Sequence, residues 1–526
     1  MTGSTKRPSV HAPPSAATVL FGRASSGLMS GSIPGEVAVV LLLVGATIWL
    51  HLFIPGTVPS GPDGGNWLAM AQDRFLGLDV MAAAVTYPPL LPLSLAALLL
   101  VMEPLYALVT MALLAKCFLV VAVYTCARSM GRTYAAAAAV LVGVAGAQLE
   151  AYSWGAYPQL LGTAFGISSV FCAVRFLASR NRVYLIAAGV LALLTYATHT
   201  LIGGLLVFAG PIAIAHYLWL ARSNRRERLL GILVAAGLAA PGALLAVTNL
   251  LLNRQPGVQP VLNPLSLGRV ESLSQTISDA PFPWVVVAVF GVASLAVRRW
   301  DHDRSVTAAT AGAWVVVGAL FFAAIGEPRA LLLTQFGLIV LALLFLQRLI
   351  GITRSTTSTR WRKARPVAMR AIVIMAVATA SALVVGGVDS YAKATDWYRV
   401  VDHPELRALD ILIATADSGD LVVASEGHHG NQIGWWVQGY AGIKTYTGVD
   451  PRFLTFPEER EQAEIVNDLF VPDSNDAESL ATLRRIGADF IVVDRRGPDA
   501  DWLDSRLAAE LELIHESPTL VLLRVP

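Results

Sequence analysis

The sequence predicts an α-helical polytopic membrane protein with a C-terminal extracytoplasmic α/β domain. Hydrophobic residues make up 55% of the 526 residues and charged residues only 14%, whereas soluble proteins average roughly 25% charged residues. Apolar runs of about 18 or more residues recur, and each is long enough to cross a bilayer. From Thr395 onward the chain holds 24 acidic and 11 basic residues, while residues 1–394 hold 13 acidic and 28 basic ones. This charge asymmetry predicts a basic membrane module followed by an acidic soluble domain.

The N-terminal segment, residues 1–33, is rich in Ser, Pro, Gly and Ala and is predicted to be a disordered tail. Its basic residues place it on the cytoplasmic side of the cytoplasmic membrane. No convincing cleavage site follows the next apolar run, so Glu36–Pro55 is predicted to be a retained span. The first loop, residues 56–92, then lies outside the membrane.

The orientation at the other end of the module agrees with this assignment. Arg354–Arg365 contains five basic residues and no acidic one, which predicts a cytoplasmic segment. The next span, Val367–Val388, therefore carries residues 395–526 to the outside. Residues 34–394 are predicted to form one transmembrane module of about eleven full spans plus a partial or twelfth one.

Two features of this module leave alternatives open. Pro88–Met102 is apolar but short and is followed by a proline, so it either dips into the membrane and returns or marks one failure of the positive-inside rule. Lys116 falls in the middle of an apolar run. Intramembrane charges are functional candidates, but a shifted span would place Lys116 at an edge.

The C-terminal segment, residues 395–526, alternates strand and helix patterns, which predicts a small α/β domain. The predicted strands are Leu421–Ala424, Phe490–Val493 and Leu520–Val525. The predicted helices are His403–Thr415, Ala477–Ile486 and Trp502–Leu511. Trp435-Trp436 could form a sugar platform, although core packing is the preferred interpretation. All three cysteines fall in apolar runs, which excludes a disulfide framework in this domain.

The first outer loop contains the principal candidate residue, Asp63. Asn66 is predicted to cap a helix along the membrane surface, with one apolar face that includes Trp67. Glycines at 61, 64 and 65 would let the backbone turn sharply before that helix. Asp63 would then lie near a helix start and close to the lipid boundary, where a carboxylate could act as a general base or hold a metal. The alternative is an ordinary solvated carboxylate.

Three stretches carry a resemblance to a known family. They are the outer loop with Asp63 and the following Tyr87-Pro88-Pro89-Leu90, the turn Glu150–Gly162, and the turn Glu327-Pro328-Arg329. Together they resemble the GT-C superfamily of polytopic glycosyltransferases, such as protein O-mannosyltransferases and aminoarabinose transferases. The resemblance implies a hexosyl- or pentosyltransferase that moves a sugar from a polyprenyl-phosphate donor to a glycan, lipid or protein acceptor of the cell envelope, at the outer membrane face.

The resemblance also implies roles for individual residues. Asp63 would activate the acceptor hydroxyl for an inverting transfer. Many members have a paired acid nearby, but here the next residues are Gly64 and Gly65, which suggests a single-base mechanism and no metal unless Asp63 holds Mg²⁺ or Mn²⁺. Arg329 would bind the lipid phosphate, because a guanidinium fork suits phosphate oxygens, and Arg269 could assist.

Five further residues are candidates for substrate binding, each with a structural alternative such as a cap, an interfacial anchor or an aromatic belt: His199, Glu150, Tyr157, Tyr87 and Lys116. Two other functions remain open. A lipid or solute transporter would predict paired intramembrane charges and internal symmetry, and Lys116 is the single such charge in the sequence. A non-catalytic scaffold for envelope assembly is favoured by the missing acid beside Asp63. No nucleic-acid partner is expected.

Overall fold

The protein is described here by a computed structural model that covers residues 33–53, 58–59, 61–76, 88–252, 281–297, 300–325, 330–355, 359–417, 419–431, 433–447, 457–471, 476–505, 508 and 510–526. Within these ranges, eight helices are long and apolar enough to cross a membrane, or nine if the bent pair Arg132–Gly143 and Gly146–Trp154 forms one span. The multi-pass helical membrane class is confirmed. The total of about eleven spans stays a prediction.

The membrane module contains fourteen helices in the described ranges. In chain order they are α1 Ile33–Phe53, α2 Pro62–Leu76, α3 Leu90–Leu99, α4 Pro104–Ala127, α5 Arg132–Gly143, α6 Gly146–Trp154, α7 Tyr157–Ser179, α8 Arg182–Thr198, α9 Thr200–Leu220, α10 Arg225–Leu252, α11 Pro281–Leu295, α12 His302–Ile325, α13 Ala330–Ser355 and α14 Thr359–Trp397.

The uncertain segment Pro88–Met102 contains the short helix α3. Its ten residues extend about 15 Å at 1.5 Å per residue, which is about half the hydrocarbon thickness of a bilayer. Pro104 then occupies the first turn of α4, a position that suits proline because its missing N–H has no helical partner there. The length of α3 favours the interpretation that this segment enters the membrane without crossing it.

Helix α14 connects the membrane module to the C-terminal domain. Its 39 residues extend about 58 Å, well beyond the hydrocarbon core, so the helix carries the chain out of the membrane. It packs closely on the bend between α5 and α6, where a Cβ added to Gly387 would clash with the Val144 carbonyl oxygen. A glycine is required at that crossing.

The C-terminal domain is built around a five-stranded sheet with the order β2-β1-β3-β5-β4. β1, β2 and β3 are parallel, whereas β5 is antiparallel to both β3 and β4. The strands are β1 Leu421–Ala424, β2 Lys444–Thr445, β3 Phe490–Asp494, β4 Glu512–Glu516 and β5 Leu520–Arg524. The longer helices are α15 His403–Thr415, α16 Pro457–Leu469 and α17 Asp476–Ile486, and a short helical segment covers Gly434–Trp436 and continues as a π-helix over Val437–Ala441.

The predicted helix Trp502–Leu511 is borne out in part. A 3₁₀ helix covers Pro498–Asp504, and Ala508 and Glu510 are also helical. The edge strand β4 follows at Glu512 and forms an antiparallel ladder with β5, in which Glu512 is opposite Arg524.

Candidate functional site

Asp63 lies in the first turn of α2 and is half-buried. The helix begins at Pro62, so the predicted cap at Asn66 is wrong: the glycines at 64 and 65 are helical rather than part of a preceding turn. Pro62 suits a helix start because its φ angle is already helical. The positive end of the helix dipole favours a carboxylate at this position.

The turn between α6 and α7 contacts α2 at Asp63. Gly155 ends α6 in a left-handed conformation with φ 97° and ψ 18°. A Cβ added there would lie 2.9 Å from the Asp63 Cβ and 3.1 Å from the Gly64 nitrogen. The Gly155 carbonyl oxygen accepts a 2.7 Å hydrogen bond from Trp67 Nε1. The position of the Asp63 backbone is therefore set by α2 and by this turn together.

Trp67 was expected at the lipid interface, and this prediction is wrong. It is only 4% exposed, because it lies against the turn between α6 and α7, where its Nε1 bonds to the Gly155 carbonyl oxygen. The C-terminal domain covers a different face of α2, on which Gln72 donates a 2.8 Å hydrogen bond to the Gly439 carbonyl oxygen.

The C-terminal domain holds the start of α2 from the other side. Trp436 is fully buried and donates a 3.1 Å hydrogen bond from Nε1 to the Gly61 carbonyl oxygen. A Cβ on Gly65 would lie 2.5 Å from the Trp436 nitrogen, and a Cβ on Gly439 would clash with the Gly65 carbonyl oxygen. Trp436 is a packing residue, as preferred from the sequence, and these glycines permit close contact between the domain and α2.

Tyr157 belongs to a buried aromatic cluster next to Asp63. It is 1% exposed, its ring centroid lies 5.6 Å from that of Tyr152, and it interacts electrostatically with Asp63. Tyr152 stacks on His51 at 4.1 Å, and His51 Nδ1 lies 3.0 Å from the Tyr391 hydroxyl. His51 and Tyr391 were not among the residues predicted for the site, although a histidine within an apolar span is itself a signal of a buried polar contact.

Lys116 lies in the middle of α4 and has no exposed surface, so the alternative that places it at the edge of a span is wrong. Its Nζ donates a 3.0 Å hydrogen bond to the Gln148 carbonyl oxygen. Gln148 in turn donates a 2.8 Å hydrogen bond from Nε2 to the Leu332 carbonyl oxygen. Lys116 thus joins α4 to α6, and through Gln148 to α13.

Glu150 and His199 also make structural contacts. Glu150 is exposed and accepts a 3.2 Å hydrogen bond from the Tyr398 hydroxyl, just beyond α14. His199 is 9% exposed and is the N-cap of α9, where its Nδ1 accepts a 3.4 Å hydrogen bond from the Ile202 nitrogen. Histidine is not among the usual capping residues, so this role could not be predicted from residue type.

Three candidates, Tyr87, Arg269 and Arg329, lie outside the described residues. Within the part of the chain that the structure describes, no group of three or more His, Cys, Asp or Glu residues is arranged to hold a metal ion. Asp63 is therefore considered below as a base.

A charged network in the C-terminal domain lies at the carboxyl ends of β1 and β3. Asp494 is fully buried and accepts hydrogen bonds of 2.7 and 2.9 Å from Arg496. Burial lowers the pKa of Arg496, but the bond to Asp494 and the neighbouring carboxylates outweigh this effect, so the pKa is raised. Arg496 also donates to the Val400 carbonyl oxygen at 2.8 Å. Asp499 accepts a 2.7 Å hydrogen bond from the Glu426 nitrogen, and burial raises the pKa of Asp499 to about 6. The network links the sheet to the segment that follows α14.

The chain is similar in fold to several solved structures. ArnT from Cupriavidus metallidurans in the apo state matches with a TM-score of 0.54 and 16% identity, over 94% of this chain and 99% of ArnT. ArnT bound to undecaprenyl phosphate matches with a TM-score of 0.55 at the same identity and coverage. The arabinofuranosyltransferase AftD from Mycobacteria matches with a TM-score of 0.53 and 16% identity, over 92% of this chain but only 40% of AftD. No protein-family model and no curated protein sequence matches the chain.

Proposed function

We propose that this chain, which has the GT-C fold, is an integral-membrane glycosyltransferase that moves a sugar from a polyprenyl-phosphate donor to a cell-envelope acceptor. The fold likeness includes a protein whose structure holds undecaprenyl phosphate, which supports a lipid-linked donor. ArnT and AftD share only 16% identity with this chain, so the sugar and the acceptor have to be determined on this chain itself.

The observation that carries the proposal is the support given to Asp63. Its carboxylate is half-buried at a helix start. Gly155 of the membrane module touches the Asp63 backbone, and Trp436 of the C-terminal domain bonds to Gly61 two residues before it. A catalytic base needs such support, because a displacement of about 1 Å can cost about 100-fold in rate.

In the proposed step, Asp63 removes the proton from an acceptor hydroxyl as its oxygen attacks the anomeric carbon. The bond between that carbon and the phosphate oxygen breaks on the opposite face, so the anomeric configuration is inverted. Polyprenyl phosphate leaves with the bonding electrons, and its charge would be stabilised by Arg329 and Arg269. In this step the Asp63 carboxylate is the single base.

The other candidates have more limited roles in this proposal. Tyr157 is proposed to contribute to the surroundings of the Asp63 carboxylate, because it interacts with Asp63 from the buried aromatic cluster. Lys116, Glu150 and His199 are proposed to maintain the helix arrangement through their hydrogen bonds.

The proposed orientation places Asp63 and the C-terminal domain outside the cell. Described arginines are concentrated at the opposite end of the bundle, including Arg128 and Arg132, which pair with Glu36. Basic residues prefer the cytoplasmic ends of membrane helices, which supports a cytoplasmic location for that end in a cytoplasmic membrane.

Purified protein in lipid nanodiscs tests the proposal with labelled hexosyl and pentosyl polyprenyl-phosphate donors and a set of envelope glycan, lipid and protein acceptors. We expect transfer from one donor class, with an inverted anomeric configuration in the product by NMR. A folded protein that binds donor but transfers no sugar to any acceptor would favour the scaffold. Movement of an intact donor or solute across the bilayer, without transfer, would favour the transporter.

A further inference from the structure

A polar cavity lies at the end of the bundle opposite Asp63. It has a volume of about 490 Å³ and is lined by residues from the first turn of α5, the start of α12 and the end of α13. α14 begins at this end, after α13, and ends at Trp397 on the Asp63 side. The cavity is therefore separated from the candidate active site by the full height of the membrane module.

The cavity is positively charged. Arg304, Arg348 and Arg354 line it together with one acidic residue, Asp301, which leaves a formal excess of two positive charges among the described lining residues. Asp301 Oδ2 pairs with Arg304 Nη1 at 2.8 Å, so it neutralises one guanidinium.

Two side chains in the cavity are arranged for a ligand with oxygen atoms. The Arg348 guanidinium carbon lies 5.1 Å from the Trp300 ring centroid, and this aromatic face helps to fix the position of the guanidinium at the cavity. Arg304 lines the same cavity with a side chain that is 37% exposed, and Asp301 holds its Nη1 atom in place. Guanidinium groups fixed in this way suit the oxygen atoms of a phosphate.

Gln347 also lines the cavity. It donates a 2.7 Å hydrogen bond from Nε2 to the Met130 carbonyl oxygen, which joins α13 to the residues just before α5. The polar lining of the cavity thus consists mainly of guanidinium groups, which suit a phosphodiester.

The cavity also has an apolar wall. Ile350 and Ile352 line it, and the side chain of Ile352 is 52% exposed on a membrane helix, where the surrounding medium is lipid. A free phosphate ion would gain nothing from such a wall, whereas the glycerol and upper acyl chain of a phospholipid would pack on it. Basic pockets between membrane helices recognise anionic lipid headgroups in this way.

We infer that this cavity binds the headgroup of an anionic phospholipid in the leaflet opposite Asp63. Arg304, Arg348 and Arg354 hold the phosphate, and Ile352 contacts the start of an acyl chain. The inference is independent of the glycosyltransferase proposal, because lipid retention can be measured without any transfer reaction.

Native mass spectrometry of the full-length protein tests the inference by titration with phosphatidylglycerol, phosphatidylcholine and inorganic phosphate in parallel. We expect phosphatidylglycerol to bind about 10-fold or more tightly than phosphatidylcholine. The double variant Arg348→Gln/Arg354→Gln should lose that preference. Arg226→Gln removes an exposed arginine from the same end of the bundle outside the cavity, and should keep it.

A second variant makes the test independent of any folding defect in the double variant. Arg354 is exposed, so Arg354→Gln should leave thermal stability in detergent unchanged and still weaken phosphatidylglycerol binding several-fold. Equal binding of both lipids, or an equal loss in Arg226→Gln, would overturn the inference. Inorganic phosphate that competes fully with phosphatidylglycerol and is retained as tightly would assign the cavity to a soluble anion instead.

Discussion

Gly155→Ala provides a sharp test of how Asp63 is positioned. The new Cβ would lie 2.9 Å from the Asp63 Cβ, whereas ordinary contacts begin at about 3.4 Å, so one of the two must move by about 0.5 Å. Since a misplacement of about 1 Å can cost about 100-fold in rate, we expect sugar transfer to fall about 10-fold or more. The left-handed backbone at Gly155 should also reduce the free energy of unfolding by about 1–2 kcal/mol.

Gly131→Ala separates the backbone strain from the contact with Asp63. Gly131 has φ 92° and ψ 159°, a region used almost only by glycine, and a Cβ there meets nothing within 4 Å. Its substitution should lower stability at least as much as Gly155→Ala while leaving transfer intact. Rates of transfer and thermal unfolding, measured on both variants in the same nanodiscs, decide the question. Equal transfer by the two variants would refute the idea that the Gly155 contact sets the position of a catalytic Asp63.

Three further outcomes follow from individual contacts. Trp436→Phe should reduce the free energy of unfolding by about 1 kcal/mol and slow transfer several-fold, because the hydrogen bond to Gly61 is lost. Trp502→Phe is the control and should leave transfer unchanged, since Trp502 Nε1 is buried without a hydrogen-bond partner in the described part of the chain. Lys116→Met should leave the donor KM unchanged, because Lys116 has no exposed surface, and a 10-fold rise would show substrate contact. Burial raises the pKa of Asp499 to about 6, so its ionisation should lower the melting temperature as pH rises from about 4 to 6. Asp499→Asn should make the melting temperature depend less on pH in this range. An unchanged dependence in the variant would contradict the raised pKa of Asp499.

The sequence was most informative where local signals determine structure. Helix α15 has the predicted bounds His403–Thr415 because its start is defined by adjacent residues: Asp402 and Glu405 form a capping box. β1 likewise has its predicted bounds at Leu421–Ala424, a short apolar run buried within a parallel part of the sheet. Long apolar runs predicted the membrane helices for the same reason, since hydropathy is a property of each segment alone.

Contacts between distant segments could not be derived in this way. The pattern that placed Trp67 on a lipid-facing surface is equally compatible with a surface covered by protein, and the turn that contains Gly155 provides that cover. Gly155 and Gly65 were predicted to lie in turns. In the structure each must be glycine because another segment of the chain leaves no space for a Cβ, α2 at Gly155 and the C-terminal domain at Gly65. Asp63 was identified because the family resemblance directed attention to it, whereas Gly155 and Trp436, which fix its surroundings, carried no local signal.

Single-turnover transfer by Asp63→Asn tests the central claim most directly. The control is Asp396→Asn, which removes a carboxylate that is 75% exposed at the outer end of α14. If Asp63 is the base, its substitution should slow transfer about 100-fold to 10,000-fold with donor binding preserved, while Asp396→Asn remains at the wild-type rate. Transfer by Asp63→Asn at the wild-type rate would contradict the proposed mechanism.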